Sequence, residues 1–339
     1  MSYSIRVHAH GGPEVLKWEE SQTPEPGPGQ VKIQHHAVGL NFIDVYFRSG
    51  LYKAPEMPFV PGQEGAGQVL AVGEGVTDIA VGDRVAYAGP LGAYAEERLI
   101  PADRLVKLPD SIDYSVAAAM MLQGLTVQYL FRKTYPVTPD TVMLFHAAAG
   151  GVGLIACQWA KAIGATLIAT VGSDDKAELA KAHGAPHVIN YRTENFVERV
   201  REITGGKGVD VVYDSIGKDT FPASLDCLRP RGLWVSFGNA SGPVPPFELA
   251  LLGQKGSLFA TRPSLLHHVA KRDELLSASA ELFDMVKSGK VRINVNQTYP
   301  LRAAANAHAD LEARKTTGSS VFLVDHVVRP LGTQARRES

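Results

Sequence analysis

Val142-Met143-Leu144-Phe145 runs straight into His146-Ala147-Ala148-Ala149-Gly150-Gly151-Val152-Gly153, and an apolar helical stretch follows over 154–163. Four apolar residues make a buried strand, and the small residues after them make a tight turn. Ala148, Gly150 and Gly153 fall on the G-x-G-x-x-G spacing with Ala in first place. Tiny side chains let the backbone approach a pyrophosphate, and the helix that opens there offers it free N–H groups. A Gly-rich turn used only for packing would contain the same residues. Its position after a strand, before a helix and at the head of a repeated βα pattern identifies it as a dinucleotide-binding turn.

Outward from this point the chain alternates. Strands are expected at 141–145, 166–171, 187–189, 209–213 and 233–238, with a sixth at 257–260; helices are expected at 151–163, 174–183, 194–203 and 219–228. That alternation specifies an α/β fold, a doubly wound parallel Rossmann sheet covered on both faces. The first hundred residues read differently, with strands at 3–9, 31–38, 67–72 and 84–88, a Pro/Gly loop at 24–29 and one short helix at 42–48. Helices follow at 113–122 and 124–133, and after residue 262 come helices at 274–288 and 301–314 and a closing strand at 319–324. We therefore expect a Rossmann unit, 123–262, inserted in a discontinuous, barrel-like β-rich catalytic domain, 1–122 plus 263–327, with a disordered tail at 328–339.

Bulk properties narrow the function. With 339 residues the chain has room for about two domains, and 34 Lys and Arg against 35 Asp and Glu leave no basic field for nucleic acid or an anionic membrane. The two cysteines, Cys157 and Cys227, form no disulfide framework, and the opening MSYSIR lacks a signal-peptide layout. No apolar run is long enough to span a bilayer. A cytoplasmic protein is expected, in which the sequons at Asn239 and Asn296 are chance matches.

The end of the second Rossmann strand selects the cofactor. NAD enzymes place an acid there for the ribose 2′-hydroxyl, whereas this chain has Gly172-Ser173. Gly172 removes the carboxylate that would repel a 2′-phosphate, Ser173 and Lys176 can donate to it, and Tyr191 can cover the adenine or join the phosphate contacts. Asp174 and Asp175 argue the other way, but both suit the first turn of the next helix. The balance favours NADPH.

No nucleophile motif or metal-chelating spacing is present, and the His pairs at 35–36 and 267–268 read as strand or surface residues. Several segments do carry a resemblance: HGGPEVL (10–16), VGLNFIDVYFRSGLY (38–52), PGQEGAGQV (61–69), HAAAGGVG (146–153), FGNASG (237–242), TRPSL (261–265) and RKTTGSS (314–320). Together they resemble the zeta-crystallin-like quinone oxidoreductases, a zinc-free branch of the medium-chain dehydrogenase/reductase superfamily whose catalytic domain is GroES-like. Zinc members carry a Cys after the strand that here ends at Leu40 and a His-Glu pair farther on; this chain has Asn41 and Gln63-Glu64. The ligands for a Lewis-acid metal are therefore gone. A quinone tolerates that loss, because its charge delocalises into an aromatic hydroquinone.

The resemblance implies direct hydride delivery from NADPH to a quinone and places Asn41, Tyr46, Tyr52, Gln63 and Arg262 at the reacting centre. Asn41 is expected to bind cofactor or a substrate oxygen; Tyr46 and Tyr52 are expected to stack on a ring or donate a proton, their alternative being plain aromatic packing. It also implies cofactor contacts from Tyr129, Gly151, Val152, Ser173, Lys176, Tyr191, Phe237, Gly238 and Arg314, and a homodimer paired through the sheet edge at 257–260. Two rivals stand beside this reading: reduction of an alkenal or enone C=C bond on the same scaffold, and a structural or RNA-binding role of the crystallin kind, which the near-neutral charge opposes.

Overall fold

The computed structural model describes residues 2–324, so the expected tail at 328–339 lies outside the described residues. The strands are β1 (Ser2–Val7), β2 (Leu16–Ser21), β3 (Gln30–Leu40), β4 (Glu64–Val72), β5 (Arg84–Ala88), β6 (Glu97–Pro101) and β7 (Val106–Lys107). They continue with β8 (Val142–Phe145), β9 (Thr166–Val171), β10 (His187–Asn190), β11 (Val209–Asp214), β12 (Leu228–Ser236) and β13 (Phe259–Thr261), and close with β14 (Val295–Pro300) and β15 (Ser319–Leu323).

Strands β8 to β13 form one all-parallel sheet in the order β10-β9-β8-β11-β12-β13. This is the dinucleotide-binding order 3-2-1-4-5-6, with the crevice where the order reverses, beside β8. The second sheet runs β14-β15-β3-β4-β5-β7, with β6 on β3. All its pairings are antiparallel except β14 on β15. Thus the last described strand returns to β3, the strand that leads into Asn41. β3 alternates half-buried and buried residues at first and is then buried throughout from Ala37 to Leu40, where it dives beneath the cleft.

Several elements depart from expectation for local reasons. The helix expected over 219–228 is only Ala223–Asp226, because Pro222 has no N–H and disfavours helical backbone at Phe221. The helix expected over 124–133 begins earlier, as Met121–Tyr129, and ends in a π-helical turn, Leu130–Thr134, just ahead of Pro136. The last expected helix splits into a 3-10 turn, Leu301–Ala303, and the helix Ala304–Glu312. β2 and β14 were not expected: LKWEES and VNQTYP put few apolar side chains inward and lack the pattern of a core strand.

Candidate active site

A cleft of about 750 Å³ opens between the carboxyl ends of the parallel strands and the end of β3. Its floor is the turn after β8. The helix Gly151–Ile163 begins there with Gly150 at its N-cap in extended geometry and no side-chain cap, so first-turn N–H groups remain for an anion. Gly150, Gly151, Val152 and Gly153 line the cleft. Ala148 does not: it is fully buried behind the turn, and a Cβ on Gly153 would meet its backbone at 2.5 Å. The expected cofactor contact at Ala148 is therefore corrected to tight helix–strand packing. Ala147 and Ala149 reach the cleft instead, Ala147 with a left-handed φ of 55° that turns the chain.

At one end lies a cationic cluster. A Cβ on Gly172 would fall 2.5 Å from the Tyr191 hydroxyl, so the absence of a side chain there is what lets Tyr191 close over the strand end. Lys176 donates Nζ to the Arg314 carbonyl at 3.0 Å, and Arg314 holds a left-handed φ of 58°. Burial, followed by repulsion from Arg192 and Arg314, lowers the Lys176 pKa. Mutually repelling cations on a half-open wall fit a doubly charged phosphate group. Arg314 also faces Asp219 across the cleft at 3.8 Å. Of the two acids that oppose a phosphate here, Asp174 is turned aside, accepting from Asn190 Nδ2 at 2.8 Å, and Asp175 stands in the first turn of the helix Asp174–Ala182. Ser173 caps the helix Asp174–Ala182 by accepting from Lys176 N at 3.4 Å, which leaves its O–H free to donate. Arg192 had no motif to announce it.

The other end is more deeply buried around Asn41 and Tyr46, with the Arg262 guanidinium as a cation at its rim. Tyr46 and Tyr52 reach across to the loop after β12: Asn239 N donates to the Tyr46 hydroxyl at 2.8 Å, and Arg262 donates to Ser236 O and to the Tyr52 hydroxyl, each at 2.8 Å. With its amide oxygen facing Tyr52 and Arg262, Asn239 accepts from both at 3.2 Å and donates to Gly238 O at 2.9 Å. The Tyr52 proton is thus spent on the latch. The Tyr46 hydroxyl accepts from Asn239 N and keeps its proton for the cleft. Burial pushes Tyr46 up to about 12, with the Asn239 N–H and Arg262 pulling back and Tyr52 adding, so it is a hydrogen-bond donor rather than a base. Asn239 lies in the FGNASG segment and in a sequon, neither of which shows that it bridges Tyr46, Tyr52 and Arg262.

Asn41 follows β3 as the N-cap of the helix Phe42–Ser49 and lines the cleft with Gln63, Tyr129, Phe237 and Gly238. Its Nδ2 donates to Glu64 at 2.7 Å and its Oδ1 accepts from Gln123 Nε2 at 3.1 Å. Burial raises Glu64 to about 8, against the lowering pull of the Asn41 and Leu122 N–H donors. His268, read as a surface residue, stacks on Tyr129 with ring centroids 4.4 Å apart and so backs the cleft wall.

The cleft at the switch point, the open helix N-terminus and the cationic end define a dinucleotide-dependent oxidoreductase of the two-domain, medium-chain type. Comparison with known proteins agrees. Residues 27–110 match the alcohol dehydrogenase GroES-like domain, and residues 151–269 match the zinc-binding dehydrogenase family. Quinone oxidoreductase of Pseudomonas aeruginosa is 56% identical over 324 residues, covering 95% of this chain and 100% of that protein. The 2-haloacrylate reductase of a Burkholderia species is 50% identical over 94% of this chain and 97% of its own length. The solved Escherichia coli quinone oxidoreductase complexed with NADPH superposes with a TM-score of 0.94 at 54% identity, covering 95% of this chain and 99% of that one. The chain belongs to the quinone oxidoreductase family of the medium-chain dehydrogenase/reductase superfamily.

Zinc, which the broader family name implies, does not fit. The two positions that would supply thiolate and imidazole hold neutral amides, and the Asn41 amide is committed at both ends. No step is assigned to a metal.

Proposed function

We propose that the protein reduces quinones with NADPH. One observation carries this reading: a cleft whose exposed end is a cationic cluster around Lys176, Arg192 and Arg314 and whose inner end offers tyrosine and amide donors, the Arg262 guanidinium and aromatic walls, with no metal-ligand cluster among the described residues. When bound, NADPH supplies a hydride; the quinone takes it up with one proton and leaves as hydroquinone. The chain provides the rest. Gly150 to Gly153 offer helix N–H groups to the pyrophosphate, and Lys176, Tyr191 and Arg314 take the 2′-phosphate. Tyr129 and Phe237 wall the ring, Asn41 and Gln63 orient the reactants, and Tyr46 offers its proton to the oxygen that gains charge. The latch of Tyr52, Asn239 and Arg262 holds the two halves together and keeps water out.

The 2-haloacrylate reductase relative supports a second reading, hydride delivery to an activated C=C bond. Loss of nicotinamide absorbance, followed with NADPH or NADH and with a benzoquinone, phenanthrenequinone or an alkenal after EDTA treatment, separates the two. EDTA-resistant turnover of quinone with NADPH is expected; turnover of the alkenal alone moves the enzyme to the second reading, and bound NADPH that no acceptor oxidises overturns both.

We further propose a cytoplasmic homodimer. Support comes from β13, which among the described residues pairs only with β12 and leaves Phe259 61% and nearby Leu249 77% exposed, and from Cys157 and Cys227, both free and buried. A monomer mass by light scattering would remove the dimer. Among the described residues no helix is long and apolar enough to cross a membrane.

A further inference from the structure

Behind the reacting end a buried hydrogen-bond chain runs through Asn41. Ser319 Oγ donates to Gln123 Oε1 at 2.7 Å, Gln123 Nε2 donates to Asn41 Oδ1 at 3.1 Å, and Asn41 Nδ2 donates to Glu64 Oε2 at 2.7 Å. The other Glu64 oxygen accepts from the backbone N–H of Leu122 at 2.8 Å. Glu64 is fully buried, and Ser319, Gln123 and Asn41 are 2%, 6% and 7% exposed. Such a chain has two possible directions, because each carboxamide can be turned over to exchange its donor and acceptor ends. At the Ser319 end both directions are satisfied: the hydroxyl lies 2.7 Å from Gln123 Oε1 and 3.2 Å from the Ala119 carbonyl, so it can donate to the first or accept from the turned-over amide and donate to the second. At the Glu64 end the ionised carboxylate allows only one direction, whereas the protonated acid, which burial favours up to about pH 8, can donate its O–H to Asn41 Oδ1 and allow the other. Both carboxylate oxygens face N–H donors, and the Leu122 N–H is fixed backbone.

We propose that Glu64 is a positioning residue: it sets the direction of this chain and so decides which face of the Asn41 amide, donor or acceptor, meets the reactants. The proposal rests on the reading that cofactor and acceptor meet beside Asn41. One Nδ2 proton and one Oδ1 lone pair of Asn41 remain after its bonds to Glu64 and Gln123. Reversal of the chain exchanges them, so a reactant group that found a donor finds an acceptor.

Glu64→Gln is the direct test, because it keeps shape and reverses polarity. The new amide must accept from Leu122 N–H and therefore donate to Asn41 Oδ1; the turnover then passes through Gln123 to Ser319 and ends on the Ala119 carbonyl. The folded variant, checked by circular dichroism and melting temperature, is expected to lose about 10- to 100-fold in kcat/KM for the acceptor or in NADPH affinity measured by fluorescence titration above about pH 8, where Glu64 is ionised, and much less at pH 6, where the amide imitates the protonated acid. The loss is expected to shrink to under about threefold in an Asn41→Ala background, since Glu64 acts through Asn41. Ser319→Ala breaks one bond of the same chain without reversing it, and should change kcat/KM by less than about threefold while lowering the melting temperature. If Glu64→Gln does not fold, the exchange Glu64→Gln with Gln123→Glu restores one donor and one acceptor to every link in the reversed direction, and is read in the same way. Unchanged kcat/KM and NADPH affinity in the folded variant above about pH 8, or a full loss that persists without the Asn41 amide, overturns the proposal. Wild-type protein inert towards every quinone sinks the quinone reading alone, because NADPH affinity still reads the direction of the chain.

Discussion

The two ends of the cleft are held by different physics. At the phosphate end, Lys176, Arg192, Arg314 and Tyr191 stand on loops and a helix start, half-exposed, and act by charge and by the space that Gly172 leaves. At the reacting end, Asn41, Gln123, Glu64 and Tyr46 are buried, and every polar bond described there has a defined direction. A screened, solvent-facing cluster tolerates sliding and sorts ligands by charge; a desolvated network tolerates no mismatch and sorts them by orientation. One cleft thus separates choice of coenzyme from control of chemistry.

The strongest way to break this comparison is Gly172→Asp. Its side chain would displace the Tyr191 hydroxyl and set a carboxylate among the phosphate ligands, and we expect KM for NADPH to rise about 100-fold or more with NADH little affected. Equal losses for both coenzymes in steady-state kinetics would mean that the substitution damages the fold rather than the charge match. Lys176→Ala should have a smaller effect in the same direction, about 10-fold in the NADPH over NADH preference. Added salt should mimic it in the wild type, weakening NADPH but not NADH.

The reacting end should answer to different changes. Tyr46→Phe is expected to lower kcat about 3- to 10-fold and leave NADPH affinity in place, because one neutral donor is lost and the ring stays. A change in NADPH affinity instead would make Tyr46 part of the latch with Tyr52.

Asp44→Asn probes the support beneath Asn41, with the smallest effect on turnover. Asp44 Oδ2 accepts from Asn41 N and from the Tyr94 hydroxyl, each at 2.9 Å, while Oδ1 is buried without a partner. Burial raises the Asp44 pKa from 3.8 to about 7, against those two hydrogen bonds. Between pH 4 and 7 the folded chain therefore holds a proton that the unfolded chain has released, so this group's contribution to stability is full below that window and is lost as pH rises through it. The amide imitates the protonated acid, and denaturant midpoints at pH 5 and pH 8 should differ less in the variant than in the wild type. Some slope should remain, because Glu64, raised to about 8, contributes with the same sign. An unaltered slope would show that Asp44 is ionised in the fold.

Legibility follows the same division. The turn after β8, Gly172, Lys176 and Tyr191 are readable because strand end, turn and helix start are consecutive in the chain. The one slip there, Ala148 for Ala147 and Ala149, comes from the left-handed turn at Ala147, which no side chain announces. Asn41, Tyr46 and Tyr52 were reached through resemblance, and that route yields positions but not bonds. Glu64, Gln123 and Asn239 stayed hidden because each is an ordinary polar residue made functional by a partner far away in the chain.

The βα alternation and the small-residue turn determined by themselves that this chain builds a dinucleotide crevice, and Gly172, Ser173 and Lys176 that a 2′-phosphate is welcome there. Each of those rests on local backbone geometry or on the charge of single residues, both of which are properties of short segments. Only the tertiary structure decided which tyrosine keeps its proton, which residues latch the two halves and which way the buried amides point. Those are questions of hydrogen-bond direction in a desolvated space, and the answer exists only once distant segments have been brought within about 3 Å of one another.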